Sequence, residues 1–314
     1  MTKRMPRELP ILVLLLVAIG LLAALVPSFR THDNLTAVGE NAAYIGIMAC
    51  GEAVVILGAG LDLSVGSMLA LSSCTVAVLL ASGKHWPIAA LAGLLVGGAA
   101  GLLNGTLITS RRLPPILTTL ATLLLFRHGI SLATHARAYG PFPDSFNIVG
   151  VGWIPFGIFV TITAICAWGC ARTRYGRWIV AIGGSEQSAL LSAVPVAKVK
   201  RMAYLISGLC AGLSGWIVMA FNNNAQSTVG QGYELDVIAA CVVGGIRITG
   251  GDGSVIGAAM GAVLIALLRD ALILTGRPIE QYGLFTCVVI LTAALVEGWR
   301  GRREPRISLG AGAS

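Results

Sequence analysis

Charge is what this sequence has least of. Asp, Glu, Lys and Arg make up 11% of its 314 residues, against about 25% in an ordinary soluble domain. With 56% of the residues hydrophobic, too few ionic side chains remain to clothe a water-facing surface, which excludes a soluble globular fold. No segment reads GxxxxGK followed by Ser or Thr, so a phosphate-cradling P-loop is excluded as well. No Ser/His/Asp grouping and no carboxylate pair stands in a plausible aqueous site, so no catalytic residue is assigned. The seven cysteines form no CxxC pair and lie in or beside apolar runs, where they read as small polarizable packing residues. The four histidines are scattered, and no metal site is read from them. The chain is therefore assigned no cofactor. If ATP powers it, another polypeptide binds the ATP and its Mg.

What is present is a series of apolar runs. A helix needs roughly 17–25 such residues to cross the hydrocarbon core, and the sequence predicts an all-α, polytopic membrane protein of about ten such helices. They fall at 10–27, 42–59, 63–82, 87–109, 114–134, 153–171, 201–222, 235–247, 254–274 and 283–299. The first follows the basic start Lys3, Arg4, Arg7 and ends in Leu25-Val26-Pro27, without a small-x-small cleavage site, so it reads as a retained helix rather than a signal peptide. The eighth is short and runs into the glycine-rich stretch 244–253, which points to a broken or re-entrant helix. Ten crossings put both termini on one side. With that side cytoplasmic, 16 basic residues lie inside: Lys3, Arg4, Arg7, Arg111, Arg112, Arg172, Arg174, Arg177, Lys198, Lys200, Arg201, Arg247, Arg300, Arg302, Arg303 and Arg306. The 6 outside are Arg30, Lys84, Arg127, Arg137, Arg269 and Arg277. The positive-inside rule requires this sense. Orientation in a membrane accounts for the net charge of +8, and nucleic acid is dropped as a partner in favour of lipid.

Small residues repeat at helical spacing in AGLLVGGAAGLLNG (92–105) and GSVIGAAMG (253–261). Such faces bring helix backbones close where no hydrophobic effect drives association. Asn104 has a second reading, as a polar position on a pathway wall. The two glycine-rich segments hint at a faint repeat of residues 42–135 in 201–299, a construction common in transporters.

The longest hydrophilic stretch, 172–201, sits on the predicted inner side and holds one short helix, Ser185–Val194. Gly183 and Gly184 precede it, Ser185 is a fitting N-cap, Glu186 suits the positive end of the helix dipole, and Pro195 stops it. Ser188, Leu191 and Ser192 complete its turns, and Ala189, Leu190, Ala193 and Val194 form an apolar face. That face calls for a partner with a groove; the other reading lays it on the membrane surface.

A lone carboxylate, Asp62, stands among Gly58, Gly60, Ser64, Gly66 and Ser67. Charge and glycine inside a membrane are costly and mark a deliberate helix break. Asp62 reads as a cap for the following helix, with Ser64 and Ser67 satisfying freed backbone groups; direct binding of solute or a proton stands beside that role. Glu52 lies about three turns earlier and is expected to face the same interior. Glu234 and Asp236 flank the mouth of the short eighth helix, and Asn222, Asn223, Asn224 and Gln226 form an amide-rich loop before it.

Three blocks carry a resemblance: GLDLSVGSMLAL at 60–71, TRYGRWIVAIGGSEQSALLSAVPVAKVK at 173–200, and GQGYELDVIAACVVGGIRITGGDGSVIGAAMGAVL at 230–264. In type, order and spacing they resemble the permease subunits of bacterial ABC sugar importers of the ribose, xylose and arabinose type, across nearly the whole chain. The resemblance implies a cytoplasmic-membrane protein that pairs with a second permease chain, identical or related. It implies an external solute-binding protein, and two ATPase subunits that grip a coupling helix at 185–194. The sequence departs from that pattern at Ser185, where Asn is commoner, at Ala193, commonly Gly, at Ile246 and Arg247, commonly Thr and Ser, and at Glu52, commonly apolar. A branched-chain amino acid permease of the same superfamily is the second reading, disfavoured by DLSVGS. An ion-coupled secondary transporter using Asp62 or Glu52 is the third, and a membrane enzyme the fourth.

Overall fold

The computed structural model describes residues 8–278 and 280–303; Lys3, Arg4, Arg7 and Arg306, counted above as inner charges, lie outside them. The described residues are helical throughout, with no strand and one isolated bridge, Tyr139 to Ala225. In chain order the helices are α1 Leu9–Leu25, α2 His32–Leu57, α3 Val65–Ala81, α4 Trp86–Arg111, α5 Pro115–Ala133, α6 Asp144–Asn147, α7 Ile154–Arg172, α8 Arg174–Gly184, α9 Glu186–Leu191, α10 Val196–Asn222, α11 Tyr233–Val243, α12 Val255–Leu274 and α13 Glu280–Arg303.

Six of these, α2, α4, α5, α7, α10 and α12, are long and apolar enough to cross a bilayer. At 17 residues each, α1 and α3 are shorter, as is the apolar segment Gln281–Thr292 of α13. α11 has 11 residues. Several boundaries differ from the sequence expectation. The second helix begins at His32 rather than at 42, because the Thr31 side chain accepts the Asn34 N–H and Asp33 sits in the first turn. Polar residues that read as a loop are thereby drawn into the helix.

α2 is the axis of the bundle. From Val38 to Leu57 all but Asn41 of its side chains are buried, enclosed by α10, α12, α7 and α11. α1 and α7 lie at the periphery and expose leucines, valines and tryptophan of the kind that face lipid. The small-residue stripe of α4 meets α10 backbone to backbone: a Cβ at Gly101 would lie 2.1 Å from the Tyr204 carbonyl oxygen, and one at Gly208 2.2 Å from that of Gly97. The second stripe joins α12 to α11 in the same way, where a Cβ at Gly261 would fall 2.0 Å from the Ala240 oxygen. Packing of this kind supplies in lipid what hydrophobic burial supplies in water.

Loop contacts sort the helix ends into two groups. At one end the Gly251 N–H donates to Leu57 O (3.1 Å), and Arg201 Nε donates to Thr109 Oγ1 (2.8 Å). At the other, Tyr139 and Ala225 exchange backbone bonds of 2.9 Å, Asn223 Oδ1 accepts the Phe142 N–H (2.7 Å), and Glu40 Oε1 accepts the Gly152 N–H (2.6 Å). Asn223 is thus a structural clasp rather than a member of a solvated amide loop. Two residues counted among the outer cations lie inside helices, as the predicted spans 114–134 and 254–274 have them: Arg127 within α5 and Arg269 within α12. Apolar neighbours on both sides carry those helices past the charge, and that leaves Arg30, Lys84, Arg137 and Arg277 at the second end.

Candidate functional site

The break after α2 is built from its own backbone. The N–H groups of Gly58 and Gly60 both donate to Val55 O, closing the helix, and Ala59 takes a left-handed φ of 54°. The chain then crosses Gly60–Ser64 and enters α3. Asp62 is fully buried here. Its Oδ1 accepts the Ser64 N–H (3.0 Å) and the Ser64 hydroxyl (2.6 Å), and Asn104 Nδ2 reaches it at 3.5 Å. Its Oδ2 accepts the Ser207 hydroxyl at 3.2 Å. Ser67 Oγ donates to Ser64 O, and Asn104 Nδ2 donates to Ser64 Oγ, both at 2.8 Å.

Asp62 therefore does not cap α3 in the expected sense. The N-cap is Ser64, whose own side chain makes no cap bond, and Asp62 instead folds an Asx turn one step before the helix. Glu52, equally buried, accepts the Asp62 N–H on Oε1 (3.0 Å), while its Oε2 and Asn104 Oδ1 have no hydrogen-bond partner. Glu52, Asp62, Ser64 and Asn104 are thus brought together, uniting α2, the break and α4. Sequence reasoning missed Ser207, which adds α10; nothing in the sequence ties it to a residue 145 positions away.

Asp236 stands apart from this cluster. It is buried on the first turn of α11, in the electrostatic field of Arg269 and beside Tyr282 and Thr286.

The hydrophilic stretch folds into two helices where one was expected. Thr173 caps α8 by accepting the Gly176 N–H (3.3 Å), and Ile179 and Ile182 of α8 are buried. At the α8–α9 junction, Gly183 has no room for a side chain: a Cβ would lie 2.0 Å from Leu57 O and 2.3 Å from Gly251 N. The junction, the end of α2 and the loop between α11 and α12 therefore meet as bare backbone, a few residues from Asp62. Gly184 closes α8, and Ser185 caps α9 by accepting the Ser188 N–H at 3.2 Å.

α9 is shorter than the expected Ser185–Val194, and Pro195 is not what stops it. Ala193 turns left-handed (φ 59°), and the Val194 N–H reaches back to Ala189 O (3.0 Å) in a Schellman closure. The anticipated apolar face is split. Ala189 and Val194 are buried against the bundle, whereas Leu190 is 57% and Leu191 85% exposed. Ser192 Oγ donates to Ser188 O (2.9 Å), and Lys200 Nζ pairs with Glu186 Oε2 at 2.6 Å, fastening α9 to the second turn of α10.

The sequence blocks at 173–200 and 60–71 thus fold into a short, braced helix with an outward pair of leucines and a buried acidic break. The family of branched-chain amino acid transport system permease components matches residues 34–294. The chain belongs to this permease family. Among its relatives, the ribose import permease protein of Escherichia coli (strain K12) is 35% identical over 305 residues, covering 94% of this chain and 95% of the relative. The ribose import permease protein of Bacillus subtilis (strain 168) is 36% identical, covering 90% of each. The autoinducer 2 import system permease protein of Photorhabdus luminescens is 31% identical, covering 93% of this chain and 90% of the relative. With six helices long and apolar enough to cross a bilayer, this permease is a multi-pass membrane protein.

Proposed function

We propose that this chain is the transmembrane subunit of an ATP-binding cassette importer, passing a sugar or sugar-like solute across the bacterial cytoplasmic membrane. Its nine helices of 17 residues or more cross the membrane, α11 together with the loop ahead of it makes a tenth crossing, and the end bearing α8 and α9 faces the cytoplasm with both termini. A second permease chain completes the pathway, a solute-binding protein delivers cargo from outside, and two ATPase subunits hold ATP and Mg on the cytoplasmic side. The observation that carries this reading is α9: six residues, capped at both ends and tied by Glu186 to Lys200, with Leu190 and Leu191 turned away from the bundle. A helix so short is not stable alone, and its leucines fit an apolar groove on a partner. Glu52, Asp62, Ser64 and Asn104 act in this reading as the hub of the break rather than as solute contacts, since all are fully buried and Asp62 is saturated with donors.

Motion then has a short route. When the ATPases close on ATP they carry α9 with them. The Glu186–Lys200 pair transmits the pull to α10, and the bare backbone contact at Gly183 transmits it to the end of α2. Asp62 bonds the break to α4 and α10, so all three elements shift together. The test is reconstitution with candidate ATPase and binding-protein partners. Leu191→Glu is expected to abolish ATPase capture while leaving membrane insertion intact. Solute uptake by the chain alone, without ATPase, would overturn the importer reading in favour of a secondary transporter.

A further inference from the structure

α7 is the least enclosed of the six long apolar helices, yet it does not present an even surface to lipid. Where it runs beside α12, a groove of about 360 Å³ opens between them, within the range of roughly 300–1,000 Å³ for sites that take small molecules. Val160, Ala164 and Ala167 of α7 form one wall, and Ala259 and Met260 of α12 the other. The depth comes from the alanines, whose methyl groups leave the space between the helices unfilled. Phe159 forms the floor. It is 3% exposed, and its ring fills the notch at Gly46 of α2, where a Cβ would collide with it.

The walls offer no open hydrogen-bonding group. Thr163, the one polar residue lining the groove, shares a hydrogen bond with Cys50 Sγ at 3.3 Å. A sugar would give up its water there for nothing, whereas a hydrocarbon chain gives up nothing. The groove is also one-sided. It takes α7 from its middle onward and the first turns of α12, the parts nearest the α8–α9 end, since α7 stops at Arg172 and α12 starts at Val255, just after Gly251. Ala167 stands about 8 Å along the helix from Arg172. Trp168, 64% exposed, lies one turn before Arg172 on the same face, where an interfacial tryptophan is expected. Arg172, Arg174 and Arg177 are all exposed, and among the described residues none of the three pairs with an acid or donates a side-chain hydrogen bond.

We propose that an anionic phospholipid of the surrounding bilayer occupies this site, with one acyl chain laid in the α7–α12 groove and its phosphate on Arg172 and Arg174. Basic clusters beside clefts between membrane helices bind acidic headgroups, and guanidinium forks suit phosphate oxygens. A free phosphate leaves the groove empty, and a lipid without net charge leaves the arginines uncompensated. Only a lipid that joins an acidic head to a hydrocarbon tail satisfies both parts. The assignment requires that the chain be embedded in a membrane and is independent of what it carries.

The test is photo-cross-linking of the full chain in phosphatidylcholine nanodiscs. These are doped with equal traces of phosphatidylglycerol or phosphatidylcholine bearing a diazirine on one acyl chain, and labelled peptides are read by mass spectrometry. The phosphatidylglycerol probe is expected to label the α7 and α12 peptides about tenfold more than the phosphatidylcholine probe. On the lipid-exposed face of α5 around Leu124 the two should label alike. Ala164→Trp, which fills the groove, should remove the excess, and so should Arg172→Gln combined with Arg174→Gln. Lysine at both arginine positions should retain it. Met260→Trp fills the groove from the other wall and keeps the test decisive if Ala164→Trp does not assemble. Equal labelling of α7 and α12 by the two probes would overturn the proposal. So would a chain-to-chain disulfide through Val160→Cys with no label on α7, an outcome that gives the groove to a second copy.

Discussion

Asp62 holds three other side chains and one backbone N–H in place, so its replacements separate two effects. Asp62→Ala leaves those buried donors without an acceptor, which costs about 1–3 kcal/mol. Asp62→Asn keeps one acceptor oxygen and the shape, and is expected to cost less. Thermal unfolding in detergent should rank the two in that order; a stable, well-assembled Asp62→Ala protein that fails only in transport would instead point to solute contact. Ala193 offers the opposite case. A left-handed alanine is strained by about 1 kcal/mol relative to glycine, so Ala193→Gly is expected to slow hydrogen exchange at the Val194 amide about fivefold. Glycine at this position was expected only from the family resemblance; the φ of 59° is a conformation that glycine adopts without strain. The partnership of Glu52 with Asp62 was equally legible, because two acids so near in a membrane segment must share an interior. Ser207 was not, since only the folded bundle brings α10 to the break.

Among the elements, α4 and α10 depend on each other most directly. Gly208→Val places side-chain atoms where the Gly97 oxygen and the Gly101 backbone already stand, and relief requires the helices to part. Size-exclusion profiles should show loss of the monodisperse protein, whereas Gly129→Ala on α5, where a Cβ meets nothing within 4 Å, should be tolerated. The small-residue spacing made this contact readable in advance, as bilayer thickness made the apolar segments readable. α8 was hidden because RYGRWIVAIGG mixes charge with apolar residues and ends in two glycines, which resembles a loop until its isoleucines are seen to be buried. Arg127 and Arg269 were counted among the outer charges although they fall within the predicted spans 114–134 and 254–274. In this fold Arg127 is held inside by the carbonyls of Ser227 and Val229, and Arg269 lies over the Tyr282 ring, tertiary facts that no local window contains.

Across the whole molecule, three distant stretches converge at one end: the α8–α9 junction, the end of α2 and the loop after α11. Gly183→Ala forces a methyl into that convergence and should leave the ATPases bound but loosen their control, so that hydrolysis continues while uptake falls several-fold. Unchanged uptake per ATP would count against the route drawn from α9 to the break. The short α11 has a consequence of another kind, for how the chain is made. Its 11 residues reach about 16 Å, roughly half the hydrocarbon thickness, and the loop ahead of it exposes backbone groups that lipid cannot satisfy. No nascent segment of that sort can be released into the bilayer alone. It must stay beside the insertion machinery until α12 emerges and closes on it through Gly261. α11 and α12 are therefore expected to enter the membrane together as a hairpin, not one by one.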